Sequence, residues 1–416
     1  MQRITVRTLA CGMPLIVETI PSARSVGVSW LLPAGFATEP ADRLGLCAMW
    51  SELLLRGAGS LSSRAQADAF DGLGFTRSSD VISTHLSLGF AGLGSRLDEA
   101  LPLIVDMVRR PRFDEEGVEP TRDLCLQALD SLPDDPQERA MLLLRELHLP
   151  PPFNRNDMGT REGLGAITRD DLVQRWLERA RPEGSVLAVA GAANADQIAA
   201  RLDALLGGWT GGAAEPAATA APTRGRRHEH DETNQVHIAI AHEAPPERDD
   251  ESMVERLIVG VLSGGMSGRL FTEVREKRSL CYSVYATYRA ERDDGRIVAY
   301  AGTTPERAQQ TLDVLWGELT RINGDAASGG GVTREEFERA AVGLKSKVVM
   351  SGESTGARAG SLTSDWRRLG RARSLEEIAG AIDAVTVERV NARLAARSPG
   401  TPTIVTLGPA ELTSPV

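Results

Sequence analysis

Two stretches of this chain repeat one another at a distance of about 217 residues. The first stretch reads AITRDDL at 166–172, continues as a helical pattern and ends in the apolar strand pattern SVLAVAG at 185–191. The second reads AVTVERV at 384–390, continues as a helical pattern and ends in TIVTLG at 403–408. A long-period repeat with two copies indicates a duplicated domain, because a solenoid needs several shorter units. We therefore expect two related domains.

A change of composition separates the two copies. Gly, Ala, Pro and Thr dominate from 207 to 227, and this stretch has no periodicity that would bury one face. We predict an N-terminal domain over 1–210, a linker over 211–227 and a C-terminal domain over 228–416. A length of 416 residues is compatible with this division.

The order of the predicted elements indicates the fold class. In each copy, adjacent strand patterns are separated by pairs of helical patterns. An example is the alternation of polar and apolar residues over 76–90, which an amphipathic helical pattern follows at 96–108. This order favours an α+β fold, with helices packed on an antiparallel sheet, over a doubly wound parallel sheet.

Charge and cysteine content exclude several classes of function. The net charge of −10 argues against nucleic-acid binding, which favours a basic surface. The four cysteines form no CxxC pair, so the sequence predicts neither a structural zinc site nor a thioredoxin-like motif. No apolar run reaches the length of a membrane span, and no apolar signal core precedes the first strand pattern. We expect a cytoplasmic protein with reduced thiols and no membrane partner.

The six histidines do not form a self-contained zinc site. No two of them lie at positions i and i+4, which is the spacing on a zinc-peptidase helix. His228 and His230 would share one face of a strand, but they lie at the edge of the linker, where a solvated segment is the more common outcome. His237 and His242 would point to opposite faces of a strand, so they are poor co-ligands.

One segment of the second copy combines residues that can carry chemistry. It begins as a Gly/Ser loop at 263–268, continues as a charged helical pattern and ends at Tyr282, which opens an aromatic strand pattern. Arg275 lies seven residues before Tyr282, so the two side chains would project in similar directions if the helix persists over two turns. An Arg fork beside a Tyr hydroxyl can hold a peptide carbonyl or a developing oxyanion. The alternative is a surface arginine followed by a tyrosine that starts a strand.

The glycines of this loop do not predict a nucleotide-binding loop. They lack the GxxxxGK[ST] pattern and the βαβ context that cradles a phosphate chain. A flexible turn before a helix is the favoured interpretation.

The same residues resemble a known family. The run LSGGMSGRLF at 262–271, followed by VREKRSLCYSV at 274–284, closely resembles the motif in the second half of pitrilysin/insulinase-type metallopeptidases. Mitochondrial processing peptidase and its bacterial relatives belong to that family. The resemblance covers nearly the whole chain, from the turn at Gly12 to Gly408. It implies two homologous α+β domains that form one half of a clamshell around extended peptides.

The resemblance also locates the family's zinc motif, which is degenerate in this chain. In H-x-x-E-H the histidines bind zinc, the glutamate activates water, and a more distal glutamate is the third ligand. The aligned segment is GLCAMWSELLLRG at 45–57. Ala48 and Glu52 then occupy the histidine positions, Ser51 the glutamate position and Ala128 the distal position. Because Ala and Ser supply neither ligand nor base, we expect no catalytic zinc in this chain.

Arg275 and Tyr282, in contrast, match the family's substrate-holding pair residue by residue. A chain with this pair and without the zinc motif is similar to the zinc-less subunit of a heterodimeric peptidase. The resemblance implies a homologous H-x-x-E-H partner that carries the zinc, an extended peptide substrate, and no activity of this chain alone. The alternative is a non-proteolytic structural or peptide-binding homodimer of the same fold.

Overall fold

The computed structural model of the chain describes residues 3–324, 329–397 and 400–415. A flexible loop predicted from composition over 324–331 lies partly outside these residues. The chain divides into two compact units, each built from three segments. Unit 1 comprises Met1–Ser131, Pro151–Ala220 and Ser351–Arg373; unit 2 comprises Leu132–Pro150, Ala221–Met350 and Ser374–Val416.

Unit 1 is organised around a six-stranded sheet. Its strands are β1 (Arg3–Thr8), β2 (Pro14–Thr19), β3 (Ser25–Leu32), β6 (Thr76–Val81), β7 (Leu86–Leu93) and β8 (Val186–Gly191), and a small separate hairpin pairs β4 (Gly57–Ala58) with β5 (Leu61–Ser62). The order across the sheet is β1-β2-β8-β3-β7-β6. All neighbours are antiparallel except β2 and β8.

Unit 2 contains a five-stranded sheet. Its strands are β9 (Arg226–His230), β10 (Val236–Glu243), β11 (Cys281–Ala290), β12 (Gly295–Thr303) and β13 (Thr403–Gly408). The order across the sheet is β11-β12-β10-β13-β9, and only β9 and β13 are parallel. Strand β11 therefore forms one edge of this sheet.

The α-helices are numbered along the chain. They are α1 (Leu46–Leu53), α2 (Ser63–Leu73), α3 (Leu97–Arg109), α4 (Glu115–Ser131), α5 (Pro136–His148), α6 (Arg161–Ala166), α7 (Arg169–Arg179), α8 (Ala195–Leu205), α9 (Ser252–Ser263), α10 (Ala308–Arg321), α11 (Arg334–Ser351), α12 (Thr355–Leu369), α13 (Leu375–Asp383) and α14 (Val387–Ala396). Within the described residues no helix is long and apolar enough to cross a membrane.

The repeat detected in the sequence reflects equivalent helix starts. Thr168 accepts a hydrogen bond from the backbone N–H of Asp171 at 3.1 Å and caps α7. Thr386 accepts one from the N–H of Arg389 at 3.2 Å and caps α14 in the same way. Each cap satisfies an amide that the first helical turn leaves without a partner.

Both sheets are covered on two faces, and one covering helix of each unit comes from the other half of the sequence. Helix α12 packs on β3 and β8 in unit 1, where Ala359 and Leu362 join Ile16 and Leu31. Helix α5 packs on β10 and β13 in unit 2. Coverage of both faces buries β3 along nearly its whole length, which accounts for its continuous apolar sequence.

Because α5 and α12 are exchanged, the two structural units differ from the two domains predicted from the sequence. The boundary at 211–227 assigns α5 to the N-terminal domain and α12 to the C-terminal domain, whereas each helix packs on the other sheet. Apart from one isolated bridge between Glu183 and Gly212, residues 211–225 form neither helix nor strand, and β9 begins at Arg226. The predicted α+β class, with mainly antiparallel sheets and packed helices, is confirmed.

Candidate functional site

Helix α1 contains the segment that the resemblance aligns with the zinc motif, and we call it the metal-motif helix. It is anchored through its buried side. The Glu39 carboxylate accepts hydrogen bonds from the backbone N–H of Gly45 at 3.2 Å and of Cys47 at 2.7 Å, at the start of the helix. The Trp50 indole donates to the Leu172 carbonyl at 3.1 Å. Burial raises the pKa of Glu39 to about 7, although the two amide bonds and Arg155 oppose the shift.

The motif positions of α1 lie on the side of the helix away from these anchors. Ala48 and Ser51 are half-buried, and Glu52 is exposed. The Ser51 hydroxyl donates to the Ser79 hydroxyl at 2.9 Å, on edge strand β6. Glu52 lies 3.8 Å from Arg56, one turn further along the chain. These side chains therefore have ordinary surface partners.

The distal position lies on α4, which packs against α1. Ala128 is exposed and contributes only its backbone carbonyl, which accepts a hydrogen bond from Ser131. Cys125, one turn earlier, is buried and closer to the motif, since the charge of Glu52 acts on it. Burial, assisted by Glu52, raises the pKa of the Cys125 thiol to about 11, although Arg56 and Arg122 oppose the shift.

This set of side chains does not fit a catalytic zinc ion. Such a site needs three protein ligands, with thiols deprotonated. Ala48 and Ala128 offer methyl groups, so Glu52, which faces an arginine, and Cys125 leave the set with fewer than three ligands. Within the described residues, no group of three His, Cys, Asp or Glu side chains could hold a metal ion.

The second candidate segment begins with the loop 264–268, after α9. The backbone passes through Gly265 at φ +142°, a conformation that L side chains rarely adopt. Arg269 then anchors the end of this loop to the start of α11. Its guanidinium donates two hydrogen bonds of 2.7 Å to the Glu336 carboxylate and one of 2.6 Å to the Gly331 carbonyl. The backbone continues as a π-helical segment, Phe271–Glu276, whose Val274 is buried.

Arg275 projects from this π-helical segment towards solvent. Its guanidinium carbon lies 4.9 Å from the centre of the Phe271 ring, an arrangement typical of a cation–π contact. Its positive charge also opposes the burial that raises the pKa of Cys281 to about 11. Arg275 therefore lies close to the start of β11, beside the residue that precedes Tyr282.

The condition under which Arg275 and Tyr282 would share one helical direction is not met, because the helical segment ends at Glu276. Ser279 adopts φ +50°, a left-handed conformation that ends the helical path. Its N–H donates to the Arg275 carbonyl at 2.8 Å, and the N–H of Leu280 donates to the Val274 carbonyl at 3.0 Å. The chain turns at this point and enters β11 at Cys281.

Tyr282 lies at an irregularity of the sheet. Cys281 pairs with Thr303 and Ser283 with Gly302, so Tyr282 is an extra residue that has no partner on β12. A β-bulge of this kind redirects a side chain and is common next to functional sites. The Tyr282 side chain is 75% exposed. A tight turn and a bulge, rather than two helical turns, thus present Arg275 and Tyr282 to solvent.

The sequence interpretation missed an aromatic cluster beside Tyr282. All four tyrosines of the chain lie on β11 and β12. Tyr285 stacks on Tyr300 with ring centres 5.3 Å apart, and the Tyr300 hydroxyl lies 2.7 Å from Nδ1 of His237. Burial raises the pKa of both tyrosines. The clustering of tyrosines in YSVYATY was the sequence signal that could have revealed this surface.

His228 and His230 do not come together as ligands. His228 lies in β9 and hydrogen-bonds to Thr406 at 3.0 Å, whereas His230 lies 3.1 Å from Glu232. Each histidine therefore has a partner of its own.

The fold and the two segments define a class of protein: two α+β units with the same strand order, in which the described residues form no metal-ligand set. Residues 166–344 match the family described as peptidase M16 inactive domain. An uncharacterized zinc protease of Mycobacterium leprae (strain TN) is 28% identical over 396 residues, which cover 92% of this chain and 87% of the relative. Another, from Bacillus subtilis (strain 168), is 25% identical over 388 residues, which cover 91% and 92%.

A solved structure agrees with these sequence matches. The crystal structure of a peptidase M16 inactive domain from Pseudomonas fluorescens has a TM-score of 0.86 to this chain at 21% identity, covering 99% of this chain and 100% of that chain. The family match over residues 166–344 and the two relatives show that this chain is similar to M16 peptidases, and the solved structure shows that it shares their fold. The resemblance predicted from the sequence is thereby confirmed.

Proposed function

We propose that this chain is the zinc-less subunit of a heterodimeric M16 metallopeptidase. A homologous partner with an intact H-x-x-E-H motif binds the zinc, and this chain binds extended peptide and supplies Arg275 and Tyr282 to the composite site. The observation that carries the proposal is the contrast between the two segments. The metal-motif helix presents no ligand set, whereas Arg275 and Tyr282 are both presented to solvent on ordered backbone.

The chemistry of the pair suits a role in amide hydrolysis. A guanidinium and a phenol hydroxyl both donate hydrogen bonds, and neither needs to change protonation state at neutral pH to do so. Within the described residues no carboxylate forms an ion pair with Arg275, so its charge is available to a carbonyl oxygen. Donors of this kind act on the oxyanion of the tetrahedral intermediate, where negative charge develops.

The exposure of both side chains supports a role in trans. In this chain alone, Tyr282 faces water, where a hydrogen bond to an oxyanion has little net value. A partner that covers the segment would exclude water and strengthen the interaction. We therefore propose that the isolated chain does not cleave peptides. A cytoplasmic location is part of the same proposal, and the four free cysteines support it.

The test is the substitution Tyr282→Phe in a reconstituted mixture with a homologous H-x-x-E-H chain from the same organism. We expect turnover of a fluorogenic peptide to fall by about two to three orders of magnitude, because one oxyanion donor is lost. Complex formation, measured by light scattering after size exclusion, should be unchanged. Tyr285→Phe, a matched change three residues along the same strand, should alter turnover by less than about threefold.

An unchanged rate for Tyr282→Phe would contradict the composite site. If this chain also formed a homodimer and no mixture cleaved peptide, the non-proteolytic structural or peptide-binding role would replace the proposal.

A further inference from the structure

A pocket of about 260 Å³ lies inside unit 2, next to the loop 264–268. Its walls are the end of α9, that loop, the middle of edge strand β11 and one side of α11. No metal position and neither member of the Arg275/Tyr282 pair lines it. The pocket is therefore separate from the residues assigned to peptide cleavage.

Glycines keep this pocket open. Gly260, Gly264, Gly268 and Gly343 all lie in its wall. A Cβ atom at Gly343 would meet no heavy atom within 4 Å, so a side chain at this position would project into open space. A side chain at Gly264 would meet the Gly260 carbonyl oxygen at 2.2 Å.

The side chains around the pocket are predominantly cationic. Arg339, Gly343 and Lys347 follow one another at intervals of four residues on α11, so the two cations lie on the same side of the helix, one turn on either side of a glycine. Within the described residues neither cation has an ion-pair or hydrogen-bond partner. The nearby Glu336 carboxylate already binds Arg269 and the backbone N–H of Thr333. Two unpaired cations on one concave surface contrast with the net charge of −10.

A third cation completes the lining. Arg256 binds Glu247, and its guanidinium carbon lies 5.1 Å from the ring centre of Tyr288. Thr287 borders the pocket only through the backbone of edge strand β11, because its side chain shares a face of the sheet with its partner Val298, on the side of α5.

We propose that this pocket binds a small, doubly charged oxyanion, either free phosphate or the phosphate group of a small molecule. Arg339 and Lys347 balance the two charges. A guanidinium and an ammonium that start two helical turns apart can contact different oxygens of one tetrahedral oxyanion, whereas a planar carboxylate offers only two oxygens. The proposal does not depend on the peptidase function.

Binding should also order the loop 264–268, since Gly264, Ser267 and Gly268 belong to the wall. The same loop leads through Arg269 to the π-helical segment that carries Arg275. An anion in the pocket would therefore stabilise the backbone that presents Arg275.

Calorimetric titration of the full chain with inorganic phosphate and with phenyl phosphate, at constant ionic strength, tests this site. We expect saturable binding, which Arg339→Gln/Lys347→Gln weakens by at least about tenfold, because charge-assisted hydrogen bonds to the anion are lost. Gly343→Leu should block binding by filling the space without a change of charge. On binding, amide exchange should slow in the loop 264–268.

The matched control is Arg334→Gln/Lys345→Gln, which removes two cations from the same helix. These residues pair with Glu388 and Asp383 and do not line the pocket. The control should leave phosphate binding unchanged. Equal weakening by both double variants, or no saturable binding to the wild-type chain, would overturn the proposal. Succinate binding as tight as phosphate would overturn the assignment to a tetrahedral oxyanion.

Discussion

The two units share one strand order and differ in what their outward side chains can do. In unit 1 the order β2-β8-β3-β7-β6 matches β9-β13-β10-β12-β11 in unit 2, with the first pair parallel in both. The inward residues of α1, such as Cys47 and Trp50, are completely buried. Of the outward motif positions, Ser51 makes one hydrogen bond, to Ser79, and Glu52 makes one ion pair, with Arg56. These contacts lie near the surface and contribute little to the packing of α1.

This difference shows that packing and chemistry occupy separate faces of the same elements. The outward positions of α1 belong to no ligand set among the described residues, and its inward residues are fully packed, so the packing of α1 does not depend on a metal. In unit 2, the segment that leads into edge strand β11 presents Arg275 and Tyr282. The comparison therefore predicts that unit 1 contributes structure and unit 2 contributes chemistry.

Zinc removal is the largest expected effect and tests this division directly. Treatment of an active mixture with dipicolinate should reduce peptide cleavage to background, because zinc activates the water and polarises the carbonyl. The same treatment should leave the thermal midpoint of this chain unchanged, since its metal-motif helix offers no ligand set. Metal analysis of the separated chains completes the test. Stoichiometric zinc in this chain would contradict the statement that unit 1 contributes structure alone.

The chemistry of the metal-motif helix could be predicted from sequence because it depends on residue type alone. Ala48 and Ala128 have no ligand atom in any conformation, and Ser51 has no carboxylate that could activate water. The closeness of Cys125 to Glu52 could not be predicted in this way, because it depends on how α4 packs on α1. A resemblance aligns positions along the chain and does not report the rotation of a helix.

The Arg275 and Tyr282 geometry was only partly predictable. Their residue types and positions follow from the sequence, but their presentation depends on Ser279 in a left-handed conformation and on a bulge at Tyr282. Both features are set by tertiary packing, since Ser279 is not a residue type that favours positive φ. The sequence does not reveal that α5 and α12 pack on the sheet of the other half of the chain, because this also depends on tertiary packing. Each half of the sequence contains one such helix, so the pattern of elements is the same with or without the exchange.

The second-largest effect concerns how the exchanged helix α12 is held in unit 1. The Arg358 guanidinium and the Glu18 carboxylate form a pair in which both side chains are only 1% exposed. Arg358→Met should cost about 3–5 kcal/mol of unfolding free energy, because it leaves Glu18 buried without its cation. Urea unfolding followed by tryptophan fluorescence measures this loss.

A matched exposed pair provides the control. Arg7 binds Asp196 at 2.7 Å with side chains 50% and 80% exposed, so Arg7→Met should cost less than about 1 kcal/mol. Similar losses for the two variants would show that α12 is not held by its buried ion pair.

The pH dependence of stability should have opposite signs in the two units. In unit 2, burial and the charges of Arg224 and Arg296 lower the pKa of His148 to about 3, from an ordinary 6.5. The unfolded chain then binds more protons between these values, so stability is fully present above pH 6.5 and is lost as pH falls towards 3. Each pH unit in this window costs about 1.4 kcal/mol, so the loss should reach about 3 kcal/mol near pH 4.5, and His148→Gln should remove most of it.

In unit 1, burial raises the pKa of Glu39 from 4.5 to about 7. The folded chain binds more protons in this window, so stability is fully present below pH 4.5 and is lost as pH rises through 7. The loss should reach about 2 kcal/mol near pH 6, at about 1.4 kcal/mol per pH unit, and Glu39→Gln should remove most of it. Thiol labelling in urea separates the units, because buried Cys47 and Cys125 report on unit 1 and Cys281 on unit 2. Dependences of the same sign in both units would contradict this prediction.

The smallest expected effect returns to the metal-motif helix. Glu52→Gln removes an exposed ion pair with a separation of 3.8 Å, which contributes at most about 1 kcal/mol. Ser51→Ala removes one hydrogen bond to Ser79, which contributes about 0.5–1.5 kcal/mol. Because neither residue holds a metal or lies in the Arg275/Tyr282 segment, each variant should change the turnover of the mixture by less than about threefold. If Glu52→Gln instead abolished cleavage with the fold intact, its carboxylate would act in the reaction, and unit 1 would contribute chemistry as well as structure.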